Sequence, residues 1–157
     1  MSTIQASTSA VIDARPEVIY AVLRDYRGGH AAILPKPYFA DFKVTKGGLG
    51  EGTETFLTMK VYGRTLTYQQ RITEPTPGRV IQETDIHTGQ WSRFTLEPLD
   101  DGARTRVTIT AEQPASPGLA GFFERLLTHG VQRMIFRKEL DNLAAYVAGK
   151  EGVRGEG

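Results

Sequence analysis

The sequence predicts an α+β domain in which one antiparallel sheet of about seven strands is covered by a long C-terminal helix. Three observations carry this reading. From residue 38 onward, six successive segments alternate apolar and polar side chains with a period of two. Gly, Pro and Asp punctuate them at short intervals, as in a meander of hairpins. The segment 117–148 instead places apolar residues three and four apart, the period of a helix. Such a sheet exposes one large apolar face, and this helix is the only element long enough to cover it.

Taken in order, Ile4 to Asp13 alternates loosely and reads as a strand. Asp13-Ala14-Arg15-Pro16 stops it, and Pro16 suits the first turn of a helix. Val18, Ile19, Val22 and Leu23 form the apolar stripe of that helix to about Tyr26, where Arg27-Gly28-Gly29 breaks it. His30 to Leu34 makes one more short helical turn, ended by Pro35 and Pro37. Strands follow at about 38–46, 52–61, 64–74, 79–86, 91–98 and 103–112. Val61-Tyr62-Gly63-Arg64 reads as a two-residue hairpin, which pairs 59 with 66, 57 with 68 and 55 with 70. Thr55, Leu57, Met59 and Val61 then share a face with Leu66, Tyr68, Gln70 and Ile72, and both strands agree on which face is apolar. Phe94 and Leu96 are expected on the same face as Val107 and Ile109. The domain is expected to span 1–149, with 150–157 a flexible Gly-rich polar tail.

Composition excludes more than it assigns. The 157 residues suit one domain with a sizeable core, since a chain of this size buries roughly 70% of its unfolded surface. Nineteen basic against eighteen acidic residues give a net charge of +1, which offers no global field for nucleic acid. The absence of cysteine removes disulfides, thiol nucleophiles and thiolate metal sites. His30, His87 and His129 lack ligand-type spacing, so neither metal nor cofactor is expected, and a surface or capping role is expected for each. No run has the length of a membrane span and the first residues lack a signal-peptide pattern, so the expected compartment is the cytoplasm.

Several stretches resemble a known family. Val11 to Tyr20 (VIDARPEVIY), Asp25-Tyr26 with Ile33-Leu34-Pro35, the glycine-rich Gly47 to Thr53 (GGLGEGT), and Phe94 to Pro98 followed by Asp101-Gly102 and Thr105 to Thr108 are similar to the START-like superfamily of helix-grip proteins. The resemblance runs over about residues 3–148, towards the bacterial polyketide cyclase/dehydratase-like branch. It implies a helix-grip fold, with the curved sheet wrapped around the C-terminal helix. It also implies a cavity between the two for a small hydrophobic or amphipathic molecule such as a lipid, polyketide, isoprenoid or aromatic metabolite. These are motifs of fold and not of chemistry. A cyclase/dehydratase-type enzyme using the same cavity is the alternative, and a protein-interaction module with a filled cavity is the third.

The candidate lining follows from the shared face. On the sheet it comprises Leu57, Met59, Leu66, Tyr68, Gln70, Phe94, Val107 and Ile109, with Tyr68 and Gln70 as polar groups able to orient a ligand. On the helix, Phe123, Leu127, Val131 and Met134 continue a stripe from Leu119, while Phe136, Leu140, Leu143 and Val147 form a second stripe. The basic flank Arg125, His129, Arg133 and Arg137 is diluted by Glu124, Glu139 and Asp141, which reads as a solvated face. The loop from Gly47 to Gly52 opens no helix and reads as a flexible rim loop without a phosphate cradle.

Glu83, Asp85 and His87 alternate and therefore share a face. A two-residue turn at Thr88-Gly89 would pair 85 with 92 and point all three inward, as candidate acid/base groups. A three-residue turn would pair 84 with 92 and turn Val80, Gln82, Thr84 and Ile86 inward instead. The cost of burying two carboxylates favours the second arrangement.

Overall fold

The computed structural model describes residues 3–114 and 118–155, with side chains for residues 3–114 and 129–150. Strand β1 (Thr3–Ile12) leads into two short helices, α1 (Pro16–Arg24) and α2 (Gly29–Ile33). Six strands follow: β2 (Phe39–Lys46), β3 (Glu54–Val61), β4 (Arg64–Thr76), β5 (Val80–Asp85), β6 (Trp91–Leu99) and β7 (Arg104–Pro114). The long helix α3 (Gly118–Gly155) comes last and continues beyond residue 149. All strand pairs are antiparallel in the order β1-β7-β6-β5-β4-β3-β2, so β1 closes the far edge of a meander. Register shifts in β2 and β4 mark irregularities of the kind that bend a strand, and the sheet curves around α3. The architecture is the α+β helix-grip arrangement.

The expected registers hold where turn chemistry fixes them. Val61 pairs with Arg64, with Tyr62 and Gly63 both at positive φ as a two-residue hairpin requires. Phe94 faces Ile109 and Leu96 faces Val107. On α3 the second apolar stripe is the anchor: Leu140, Leu143 and Val147 are fully buried in one cluster with Ile19, Leu23, Ile72, Ile81 and Val107. Burying each such side chain contributes roughly 1.5–3 kcal/mol. Asn142 adds a polar tie, donating from Nδ2 to the Ile33 carbonyl at 3.0 Å and so joining α3 to α2.

The glycine-rich loop is not a free rim. The Gly50 amide donates to the Arg24 carbonyl at 2.8 Å and Tyr26 donates its amide to the Gly48 carbonyl at 2.9 Å, so the loop caps the end of α1. Glu74 on β4 gathers this corner, accepting from the Tyr20 hydroxyl at 2.6 Å and the Glu51 amide at 2.7 Å and pairing with Arg24. Burial opposes the charge on Glu74, yet these donors outweigh it and hold the carboxyl below its usual range. The expectation of flexibility fails because the loop's amides and carbonyls meet partners on α1 and β4.

Gly50 has φ +64°, and a side chain there would run into Glu74 and Arg24. Gly50→Ala is therefore expected to lower stability by about 1–3 kcal/mol in denaturant unfolding. An unchanged midpoint would show that the loop does not hold α1.

Candidate ligand cavity

Between the concave sheet face and α3 lies a cavity of about 120 Å³. That is somewhat smaller than an engineered apolar cavity of about 150 Å³ that holds benzene, so the space is of the order of a single ring, with any arm directed towards the cavity's open side. Its apolar wall includes Phe39, Phe42, Leu57, Met59, Phe94 and Phe136. Of the residues expected from sequence, Leu57, Met59, Tyr68, Gln70, Phe94 and Ile109 line it. Leu66 shares their face, but β4 pairs with β5 only from Gln70 onward, and Leu66 on the overhanging hairpin is 42% exposed. Val107 lies two residues beyond Ile109, in the closed core and away from the cavity. On α3, Val131 and Met134 are half-buried beside the lining, Met134 accepting a hydrogen bond from Tyr38. Phe123 and Leu127 fall outside the residues whose side chains are described.

The direction of Glu83, Asp85 and His87 is decided by a turn neither sequence alternative contained. Residues 86–89 form a four-residue loop closed by the Asp85 amide on the Gln90 carbonyl at 2.7 Å, so Glu83 pairs with Ser92 and Thr84 with Trp91. This turns Ile81, Glu83 and Asp85 inward and corrects the favoured reading. Val80, Gln82 and Thr84 are only half-buried and Ile86 is 43% exposed. Asp85 is buried because it serves the loop, accepting from the Thr88 amide at 2.9 Å, the Thr88 hydroxyl at 2.8 Å and the Gln69 amide at 2.9 Å. These donors outweigh the effect of burial and keep its carboxyl below the usual range. β5 ends at Asp85, so the alternation does not reach His87, which is exposed and bonded to the Gln69 side chain. His87 is outside the cavity.

The partner that makes buried Glu83 tolerable is His30, which is 2% exposed and not on the surface as its sequence context suggested. His30 donates from Nδ1 to the Leu23 carbonyl at 2.7 Å, and its Nε2 lies 3.0 Å from Glu83 Oε1. The same oxygen accepts from the Tyr26 hydroxyl at 3.0 Å, and Oε2 accepts from Ser92 at 3.0 Å. Two hydroxyl donors favour the ionised carboxylate, which in turn makes His30 the imidazolium. Burial opposes both charges, but the pair and its hydrogen bonds hold Glu83 below and His30 above their ordinary ranges. The His30 ring stacks on Tyr26 at 4.2 Å and meets the edge of Phe94 at 5.5 Å, which fixes its orientation.

Opposite this network stands a residue that charge counting had set on the solvated face. Glu139 is 5% exposed, lines the cavity, and among the described residues makes no hydrogen bond. It follows Phe136 by three and precedes Leu143 by four, so the apolar stripe itself carried the signal. Burial drives its carboxyl up to about 8, with His30 pulling down and Glu83 pushing up. Near neutrality Glu139 is thus protonated while Glu83 is charged. The amide oxygen of Gln132, about two turns earlier on the same helix, also lines the cavity and is buried without a partner.

Two outcomes are expected. His30→Ala strands a buried carboxylate and should cost about 3–5 kcal/mol near pH 6, by denaturant unfolding; a loss under about 1 kcal/mol would contradict the ion pair. Glu139, raised from 4.5 to about 8, makes the native protein hold a proton that the unfolded chain releases, so stability falls as pH rises through that window. Glu139→Gln lacks this loss, and its advantage over wild type should widen from pH 4.5 to 8 by at most about 1.4 kcal/mol per unit. A gap independent of pH would contradict the assignment.

Comparisons with known proteins fit this geometry. The KanY protein, known from a solution structure, is 23% identical with a TM-score of 0.81, over 94% of this chain and 99% of that one. A START superfamily protein from Mycobacterium smegmatis is 14% identical with a TM-score of 0.69, over 92% and 97% of the two chains. The Zhui aromatase/cyclase from Streptomyces sp. R1128 is 17% identical with a TM-score of 0.64, over 98% and 96%. At these identities the likeness is one of fold. No curated protein matches the sequence. Among the described residues no helix is long and apolar enough to cross a membrane. The family model described as polyketide cyclase/dehydrase and lipid transport matches residues 3–148, and the chain belongs to that family.

Proposed function

We propose that the protein binds a small amphipathic molecule in the cavity between sheet and α3, its ring among the phenyl groups and its polar end at Glu139. The observation that supports this most is a buried carboxyl facing an aromatic-walled cavity with no protein partner among the described residues. A buried polar group in a filled core is ordinarily satisfied, as Glu83 and Asp85 are here, so a free one facing a void suits a ligand. The family description, which joins cyclisation chemistry with lipid transport, agrees with a cavity of this kind. The volume favours an aromatic or cyclic metabolite over a long acyl chain.

A second reading, a cyclase/dehydratase-type enzyme, is favoured by one feature. Glu139 holds its proton near neutrality beside an aromatic cavity, as a general acid must when it protonates a carbonyl or a departing hydroxyl. The protein-interaction reading has no observation of comparable weight.

Native mass spectrometry of the purified protein, with extraction after denaturation, tests the binding reading. A co-purifying or added ring compound bound one to one, and lost when Phe94→Trp fills the cavity, is the expected result. Equal binding by wild type and the filled variant would remove the cavity from the account.

A further inference from the structure

The cavity is more specific about charge than about shape. Three of the residues that face it are acidic: Glu83, Asp85 and Glu139. No lysine or arginine is among the described residues that line it, and the one cation there, His30, is already committed on both nitrogens. Glu83 is paired with His30, whereas Asp85 is held by two amides and a hydroxyl and makes no ion pair among the described residues. A carboxylate-bearing guest, a fatty acid for instance, would meet this field without a cationic partner. Beside the Tyr68 hydroxyl and the Gln70 amide, which offer donors as well as acceptors, α3 presents two acceptors: the buried, partnerless amide oxygen of Gln132, and the Glu139 carboxyl once it gives up its proton. An ammonium offers three donors and no acceptor, which matches that set.

Resting on the binding reading above, we infer that the ligand class of this cavity is a cyclic or aromatic amine, with its ammonium held by Glu139 and Gln132 and its ring against Phe94 and Phe136. The high proton affinity of Glu139 agrees with this, since burial near Glu83 outweighs the pull of His30 on the carboxyl. Aromatic walls also suit a cation, because ring faces attract positive charge.

Three probes of nearly equal size decide the matter: phenethylamine, 2-phenylethanol and phenylacetate, titrated by calorimetry near pH 8, with amide chemical shifts to locate binding. The amine is expected to bind about tenfold or more tightly than phenylacetate, with the alcohol between them. Shifts should cluster at Gln132, Ile135 and Glu139. Glu139→Gln keeps the shape and removes the charge, so it should weaken the amine about tenfold and change the alcohol less than about threefold. Phenylacetate binding as tightly as the amine, or an amine preference that survives Glu139→Gln, would overturn the amine assignment while the cavity reading stands. If none of the three shifts a cavity residue, the binding reading fails and the amine class with it.

Discussion

The buried carboxylate of Glu83 is the constraint on which the cavity depends. Its three short contacts reach from β5 to two other parts of the fold: Tyr26 and His30 in the α1–α2 region, and Ser92 on β6. The imidazolium of His30 is in turn held by the last turn of α1 and by two aromatic rings. This network ties the two short helices to the middle of the sheet. It also closes the floor of the space beneath α3. Apolar packing could have joined the same elements at lower electrostatic cost.

Glu83 and Glu139 show how environment divides one side-chain chemistry into two roles. Glu83 meets an imidazolium and two hydroxyls and ionises. Glu139 meets an apolar helix face and its neighbour's negative charge, and it keeps its proton. The two sit within electrostatic reach of His30, whose single charge is spent on Glu83 through a direct contact. The result is a cavity with a settled side and an unsettled side. On that side the Glu139 carboxyl and the Gln132 amide oxygen have no hydrogen-bond partner among the described residues.

Much of the fold was legible because turns and periodicity fix it locally. The hairpin at Tyr62-Gly63 has one geometry, and two strands of agreeing polarity follow from it. The turn after β5 was not legible, since a loop one residue longer than considered inverts every side chain that precedes it. Reasoning from the cost of buried charge pointed the wrong way because the compensating cation, His30, is 53 positions distant and nothing local marks it. Glu139 was readable in principle from its place between Phe136 and Leu143, but its charge drew it into the count of the basic flank. Long-range electrostatic pairing is the part of the site that a one-dimensional pattern does not carry.

The division of charge across the cavity is the central claim, and carboxyl-detected carbon NMR measures it residue by residue. Titration of the side-chain carboxyls, assigned with Glu83→Gln and Glu139→Gln, should place Glu139 at about 8 and Glu83 below its ordinary 4.5. Glu139 titrating as an ordinary surface carboxylate, or Glu83 retaining its proton near neutrality, would contradict the account.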